Sequence, residues 1–150
     1  MRMIMTILIE PATIFSPDID PLVAEADADG HLFMRRLRDE YASHTNRFDR
    51  PGELLLAARM DGRFAGICGL NIDPFAPVPG VGRLRRLYVA RAARRFGVGS
   101  LLVRRLLAHA APHFTHVRLR TDSADAAAFY MRLGFQPTAE EGATHIFRIG

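Results

Sequence analysis

A single mixed α/β domain, with an antiparallel first half and a parallel strand pair behind it, is the fold class that this chain of 150 residues predicts. Three observations carry that expectation. The length is that of one ordinary domain, and 49% apolar content is enough to fill one core. Asp61-Gly62 stands between two apolar runs, a strong short-range signal for an antiparallel hairpin. The second half then runs strand, long apolar helix, strand, the order of a crossover between parallel strands.

In chain order, Met3 to Ile9 is a short apolar run that Glu10-Pro11 ends too soon for a membrane span. No small-residue cleavage site follows, so it is expected as a first strand. Pro17 to Asp29 is acidic and amphipathic, with Ile19, Leu22, Val23 and Ala26 on its apolar side, and Gly30 breaks it. His31 to Ser43 has Leu32, Phe33, Leu37 and Tyr41 at helical spacing. A loop at Asn46 to Gly52 leads to strands at Glu53 to Met60 and Arg63 to Ile72, and a proline-rich loop runs from Asp73 to Gly82. Leu84 to Val89 is expected as a strand, Gly97 to about Ala111 as a helix, and His116 to Thr121 as a second strand. A last helix over about Ser123 to Leu133 has Asp122 or Ser123 to cap it and Gly134 to end it. Phe135 to Pro137 and Thr144 to Ile149 close the sheet, and residues 1–150 form one domain without internal repeats.

The single cysteine, Cys68, excludes an internal disulfide and a multi-cysteine metal site, and it fits a cytoplasmic setting. All 20 basic residues are arginine. Residues 1–46 hold eight carboxylates against four arginines, whereas Pro74 to Thr121 holds ten arginines and no carboxylate. Such a stretch attracts an anionic ligand. Arg104 and Arg105 fit a solvated helix face instead. The basic residues interleave with core positions and no nucleic-acid motif occurs, so neither a nucleic acid nor a membrane is expected as partner.

Arg94-Arg95-Phe96-Gly97-Val98-Gly99 lies between a strand and the head of a long helix. A helix N-terminus offers unpaired N–H groups and the positive end of its dipole. Glycines at 97 and 99 let a diphosphate approach those amides, and Arg94 and Arg95 add charge that pairs with phosphate oxygens.

Arg94-x-x-Gly97-x-Gly99 behind Leu84–Val89 resembles the coenzyme A signature of the GNAT superfamily of N-acetyltransferases. Downstream, Ala126, Phe129, Tyr130, Leu133, Gly134 and Phe135 resemble the same family's "A…FY…LGF" segment, so the likeness covers residues 83–137. The resemblance implies a GNAT-like sheet whose parallel strands splay, with helices on both faces and a bulge in the strand Leu84–Val89. It implies acetyl-coenzyme A as co-substrate and no metal. Pantetheine would bond the main chain near Leu87, Tyr88 and Val89, and the diphosphate the segment Arg94, Arg95, Phe96, Gly97, Val98, Gly99 and Ser100. Tyr130 matches the family tyrosine beside the thioester sulfur and is the expected general acid. Many relatives carry asparagine seven residues earlier; this chain has Ser123, which can cap the helix or reach the pantetheine.

No general base is evident; Glu53, Asp73, His116 and His145 are candidates, and a water chain is another route. Cys68 lies mid-strand with no motif marking it as an acyl carrier, so the expected reaction is direct attack by a primary amine of a small molecule or peptide in a ternary complex. Arg83, Arg85 and Arg86 suggest an acceptor with a carboxylate or phosphate, although strict alternation sends Arg86 to the opposite face from the other two. A non-catalytic acyl-coenzyme A-binding regulatory domain is the alternative, since a base is missing and Ser123 departs from the pattern. Relatives often pair, so a homodimer is compatible with the resemblance.

Overall fold

Alternating apolar positions and one tight turn build the first half of the sheet. A computed structural model describes residues 5–12 and 17–150. Strand β1 (Ile7–Pro11) pairs antiparallel with β2 (Leu54–Met60), and β2 with β3 (Arg63–Ile72). Asp61 and Gly62 both have positive φ, 52° and 82°, as a two-residue turn matched to strand twist requires. The expected strand Met3–Ile9 starts later and runs on through Pro11, while Met3 and Ile4 lie outside the described residues. Proline is tolerated there because β1 is the edge of the sheet, where an N–H can be spared.

Helices α1 (Asp20–Ala28) and α2 (Phe33–Ala42) cover one face. Ile19, Leu22, Val23 and Ala26 are all buried there, with Met34, Leu37, Leu55, Ile67 and Tyr88. The helix expected from His31 starts at Phe33, leaving His31 in the connection behind Gly30. On the other face lies α3 (Val98–Ala110), whose Val98, Leu102, Val103, Leu106 and Leu107 meet Leu56, Cys68, Leu70 and Leu84. Leu101, Arg104 and Arg105 of the same helix are exposed. Helix α4 (Ala124–Arg132) adds Phe129 and Tyr130 to this side.

Strand β4 (Val81–Val89) pairs antiparallel with β3 and parallel with β5 (His116–Leu119). Strands β6 (Gln136–Pro137) and β7 (His145–Arg148) complete a seven-stranded sheet of order β1-β2-β3-β4-β5-β7-β6. This is the mixed single-domain architecture expected of the chain, with helices on both faces.

The parallel seam is short. Val81, Gly82 and Arg83 pair with His116, Val117 and Arg118, and no ladder joins the two strands beyond them. At that last pair, Asp73 Oδ2 lies 2.7 Å from Arg118 Nε and 3.5 Å from an Arg83 guanidinium nitrogen. All three residues are buried, Arg118 at 1% exposure and Asp73 at 6%. Arg118 also bonds Glu140 and the Glu141 carbonyl, and Arg83 the Gly142 carbonyl. A buried ionic clamp therefore closes the seam where the strands begin to part.

Candidate active site

Beyond the clamp, β4 and β5 diverge around a cleft of about 1130 Å³. Leu87, Tyr88 and Val89 form one wall, and Leu119 to Ser123 with Ala126, Phe129 and Tyr130 form the other. The expected bulge is present. Ile67 pairs with Tyr88 and Gly69 with Arg85, so β4 carries one extra residue opposite Cys68. Arg86 takes the strain, with φ of 62°.

That extra residue corrects the alternation inferred from sequence. Leu84, Leu87 and Val89 all pack toward α3. Tyr88 packs with α1 and α2, and Arg86 bonds Glu40 of α2 at 2.9 Å. Arg83, Arg85 and Arg86 thus share the α1–α2 side and all line the cleft. A bulge inverts the facing of every later residue, which a period-two reading cannot register.

At the head of α3 the chain leaves a 3₁₀ turn at Arg91–Ala93 and passes Arg95 and Gly97, with φ of 72° and 78°. The amides of Arg95 through Ser100 donate to nothing else among the described residues. The first helical N–H groups have no intrahelical acceptor, and the α3 dipole adds positive potential there. Arg95, Gly97, Val98, Gly99 and Ser100 line the cleft beside these amides. The loop thus fits a diphosphate by the chemistry of its donors. Gly97 serves the backbone: an added Cβ would meet nothing within 4 Å, but its φ is left-handed. Gly99 serves a close approach, since a Cβ there would lie 3.3 Å from Phe129. Gly97→Ala is expected to strain the turn by ~1–2 kcal/mol and to weaken acetyl-coenzyme A binding about tenfold. Calorimetry checks this, and unchanged affinity would remove the turn from the binding site.

Two residues of this segment are placed differently from the rest. Arg94 turns back, donating to the Val89 carbonyl at 3.1 Å and lying 3.4 Å from Asp29, with its guanidinium 5.6 Å from the centre of the Tyr88 ring. Its side chain ties the loop to β4 and α1, and Arg94 also lines the cleft. Phe96 is 48% exposed and its ring lies outside the cleft lining, while its amide is one of the free donors. The Tyr88 hydroxyl lies 2.7 Å from Glu25 and 2.9 Å from Asp29, and its one proton goes to either. Arg91 pairs with Asp29 as well. The Arg91 guanidinium, then the Tyr88 hydroxyl, hold the Asp29 carboxyl at about 2.

Across the gap, Tyr130 packs against Phe129 and Phe135, with ring centres 5.1 and 5.6 Å apart. Its hydroxyl bonds no other described residue, and burial pushes the phenol well above its ordinary range. Ser123 also lines the cleft, but its oxygen accepts from the Ala126 amide at 3.2 Å and caps α4. The cap is Ser123, not Asp122. Gly134, with φ of 103°, ends the helix as expected.

None of the four candidate bases lines the cleft. Glu53 accepts from Asn71 and from the Ile72 amide, and Asp73 is the clamp. His116 bonds Thr115, and His145 is buried against Thr144. The imidazole that does line the cleft is His31, 5.4 Å from the Phe33 ring and 6.2 Å from the Tyr88 ring. The sequence disguised it as the first residue of a helix; Gly30 before it was the only signal of a connection. Cys68 is fully buried, and burial pushes its thiol up, which makes it a poor nucleophile. Among the described residues no cluster of three or more His, Cys, Asp or Glu could hold a metal, and no helix is long and apolar enough to cross a membrane.

A sheet that opens along its parallel seam beside free helix-terminal amides is the layout of an acyltransferase. The family model of the acetyltransferase (GNAT) family matches residues 19–135, and the chain belongs to that family. Among solved structures, the chain is 25% identical to a protein from Exiguobacterium sp. 255-15 provisionally described as an acetyltransferase, covering 95% of this chain and 93% of that one with a TM-score of 0.84. A GNAT-family acetyltransferase from Streptococcus pneumoniae is 20% identical, covering 97% and 100%, with a TM-score of 0.68. Glucosamine-6-phosphate N-acetyltransferase from Arabidopsis thaliana shares the fold at 18% identity, 93% and 97% coverage and a TM-score of 0.65. No curated protein sequence matches the chain.

Proposed function

We propose that the protein transfers the acetyl group of acetyl-coenzyme A directly to a primary amine of a small molecule or peptide. The observation that carries this reading is the joining of two features by one cleft: the amides at the head of α3 and the Tyr130 hydroxyl across the gap, neither bonded to another group among the described residues. The amides suit the diphosphate, and the opened edge of β4 suits pantetheine, with the thioester carbonyl polarised by main-chain N–H near Leu87 to Val89. The amine nitrogen attacks that carbonyl, the C–N bond forms and the C–S bond breaks. Tyr130, as the acid, donates a hydrogen bond to the departing sulfur as charge collects on it, the released thiolate taking its proton from solvent. The proton lost from nitrogen goes to His31 on the acceptor side, directly or through water. Burial of Cys68 supports attack by the amine itself over an acyl-enzyme route.

The test is calorimetric titration with acetyl-coenzyme A, followed by thiol detection across a panel of amino acids, amino sugars, polyamines and peptides. Stoichiometric thiol and N-acetyl product from one class supports the reading. Tight binding with no thiol released above hydrolysis for any amine overturns it in favour of a non-catalytic acyl-coenzyme A-binding domain.

A further inference from the structure

The acceptor end of the cleft has a charge imbalance that the chemistry of acetyl transfer does not require. Eight arginines line the cleft as a whole, two of them (Arg94 and Arg95) in the loop at the head of α3, and Asp122 is the single carboxylate among its lining residues. Two of the three β4 arginines are neutralised within the fold: Arg83 by Asp73 and Arg86 by Glu40. Arg85 stands between them in sequence, half-buried, and its guanidinium makes no ion pair or hydrogen bond among the described residues. A surface arginine without a partner is ordinary, because water solvates it. A half-buried one flanked by further guanidinium groups has lost part of that solvation, and the carboxylates within range, Glu40 and Asp73, already pair directly with Arg86 and Arg83. Burial, then the neighbouring Arg86 charge, push Arg85 below its ordinary range. On the rim, Arg36 of α2 and Arg120 beyond β5 are exposed and have no ion pair among the described residues. Arg86 joins Arg83 and Arg85 on one face because of the bulge.

From this arrangement we infer that the acceptor amine carries an anionic group, a carboxylate or phosphate, which seats against Arg85 with Arg36 and Arg120 closing over it. The inference rests on the acetyl-transfer reading for its reaction but not for its binding. Arg85 lies two residues before Leu87 on the same strand, so the anion and the reacting nitrogen belong to one compact molecule. The guanidinium fork suits bidentate contact with either anion. An anionic acceptor meets a positive field on approach, whereas a polyamine meets repulsion.

Matched ligand pairs test this: glucosamine 6-phosphate against glucosamine, and an amino acid against its amide, with spermidine as the cationic control. Binding is measured by calorimetry on protein saturated with coenzyme A, and turnover by thiol release with acetyl-coenzyme A. At least one anionic member is expected to bind tenfold or more tightly than its neutral partner, and the phosphate and carboxylate arms tell which anion is meant. Arg85→Gln is expected to cut that ratio at least tenfold, and Arg85→Lys to restore a large part of it. Preference for the neutral members or spermidine, or an anionic preference that Arg85→Gln leaves intact, overturns the inference. Arg85-dependent binding of the anion without thiol release upholds the subsite while removing the acetyl-transfer reading.

Discussion

Asp73→Ala is expected to destabilise the protein by about 3–5 kcal/mol, measured as a shift in the urea unfolding free energy. The carboxylate serves two buried guanidinium groups at once, Arg118 at 2.7 Å and Arg83 at 3.5 Å. Removing it leaves both cations in the interior with like-charge repulsion between them: Arg118 keeps only the half-exposed Glu140 carboxylate and the Glu141 carbonyl, and Arg83 keeps the Gly142 carbonyl, a dipole without charge. Asp73→Asn keeps an acceptor for Arg118 and is expected to cost less. The consequence extends to the cleft, because Arg83 and Arg118 form the last pair of the parallel ladder. Loosening that pair lets the opening between β4 and β5 spread toward Val81, so acetyl-coenzyme A affinity should fall along with stability. A loss below about 1 kcal/mol would mean that the arginines regain water and that the seam is closed by the ladder alone.

Asp73 also shows where sequence reading stops. As one carboxylate after a strand it was a fair candidate base, and nothing local marks its partners, which lie 10 and 45 residues further along. The elements that sequence reading located well are those written in a few neighbouring residues: the Asp61-Gly62 turn, the cap at Ser123, the stop at Gly134, and the glycines at the head of α3. Each depends on a local φ or a nearby amide, so composition and spacing suffice. The facing of Arg86 depends instead on register with β3, and a single inserted residue reversed it. His31 is not legible in the sequence for a related reason, since a proton acceptor is defined by position across a cleft rather than by neighbours in sequence. The direction of the Arg94 side chain likewise follows from Asp29 and Tyr88, packed from elsewhere in the fold.

Tyr130→Phe is expected to lower turnover by about 10²-fold or more, with acetyl-coenzyme A affinity changed by less than about twofold. The expectation of such a split comes from the surroundings of the hydroxyl. The ring is held by Phe129 and Phe135, contacts that phenylalanine keeps, while the hydroxyl bonds no other described residue. Removing it therefore breaks no structural bond. Burial raises the phenol well above its usual range, so the proton stays on oxygen through neutral and moderately alkaline pH. A thiol is ordinarily the stronger acid of the two, and full proton transfer to a free thiolate would be uphill. The benefit is then confined to the period in which the C–S bond breaks, when a hydrogen bond to sulfur strengthens as negative charge collects on it. An interaction of that kind changes kcat and leaves ground-state binding almost untouched. Steady-state rates and calorimetric affinities of the two proteins decide the matter: equal turnover would reduce Tyr130 to a packing residue, and a matched loss of affinity would make it a contact to the bound donor rather than its acid.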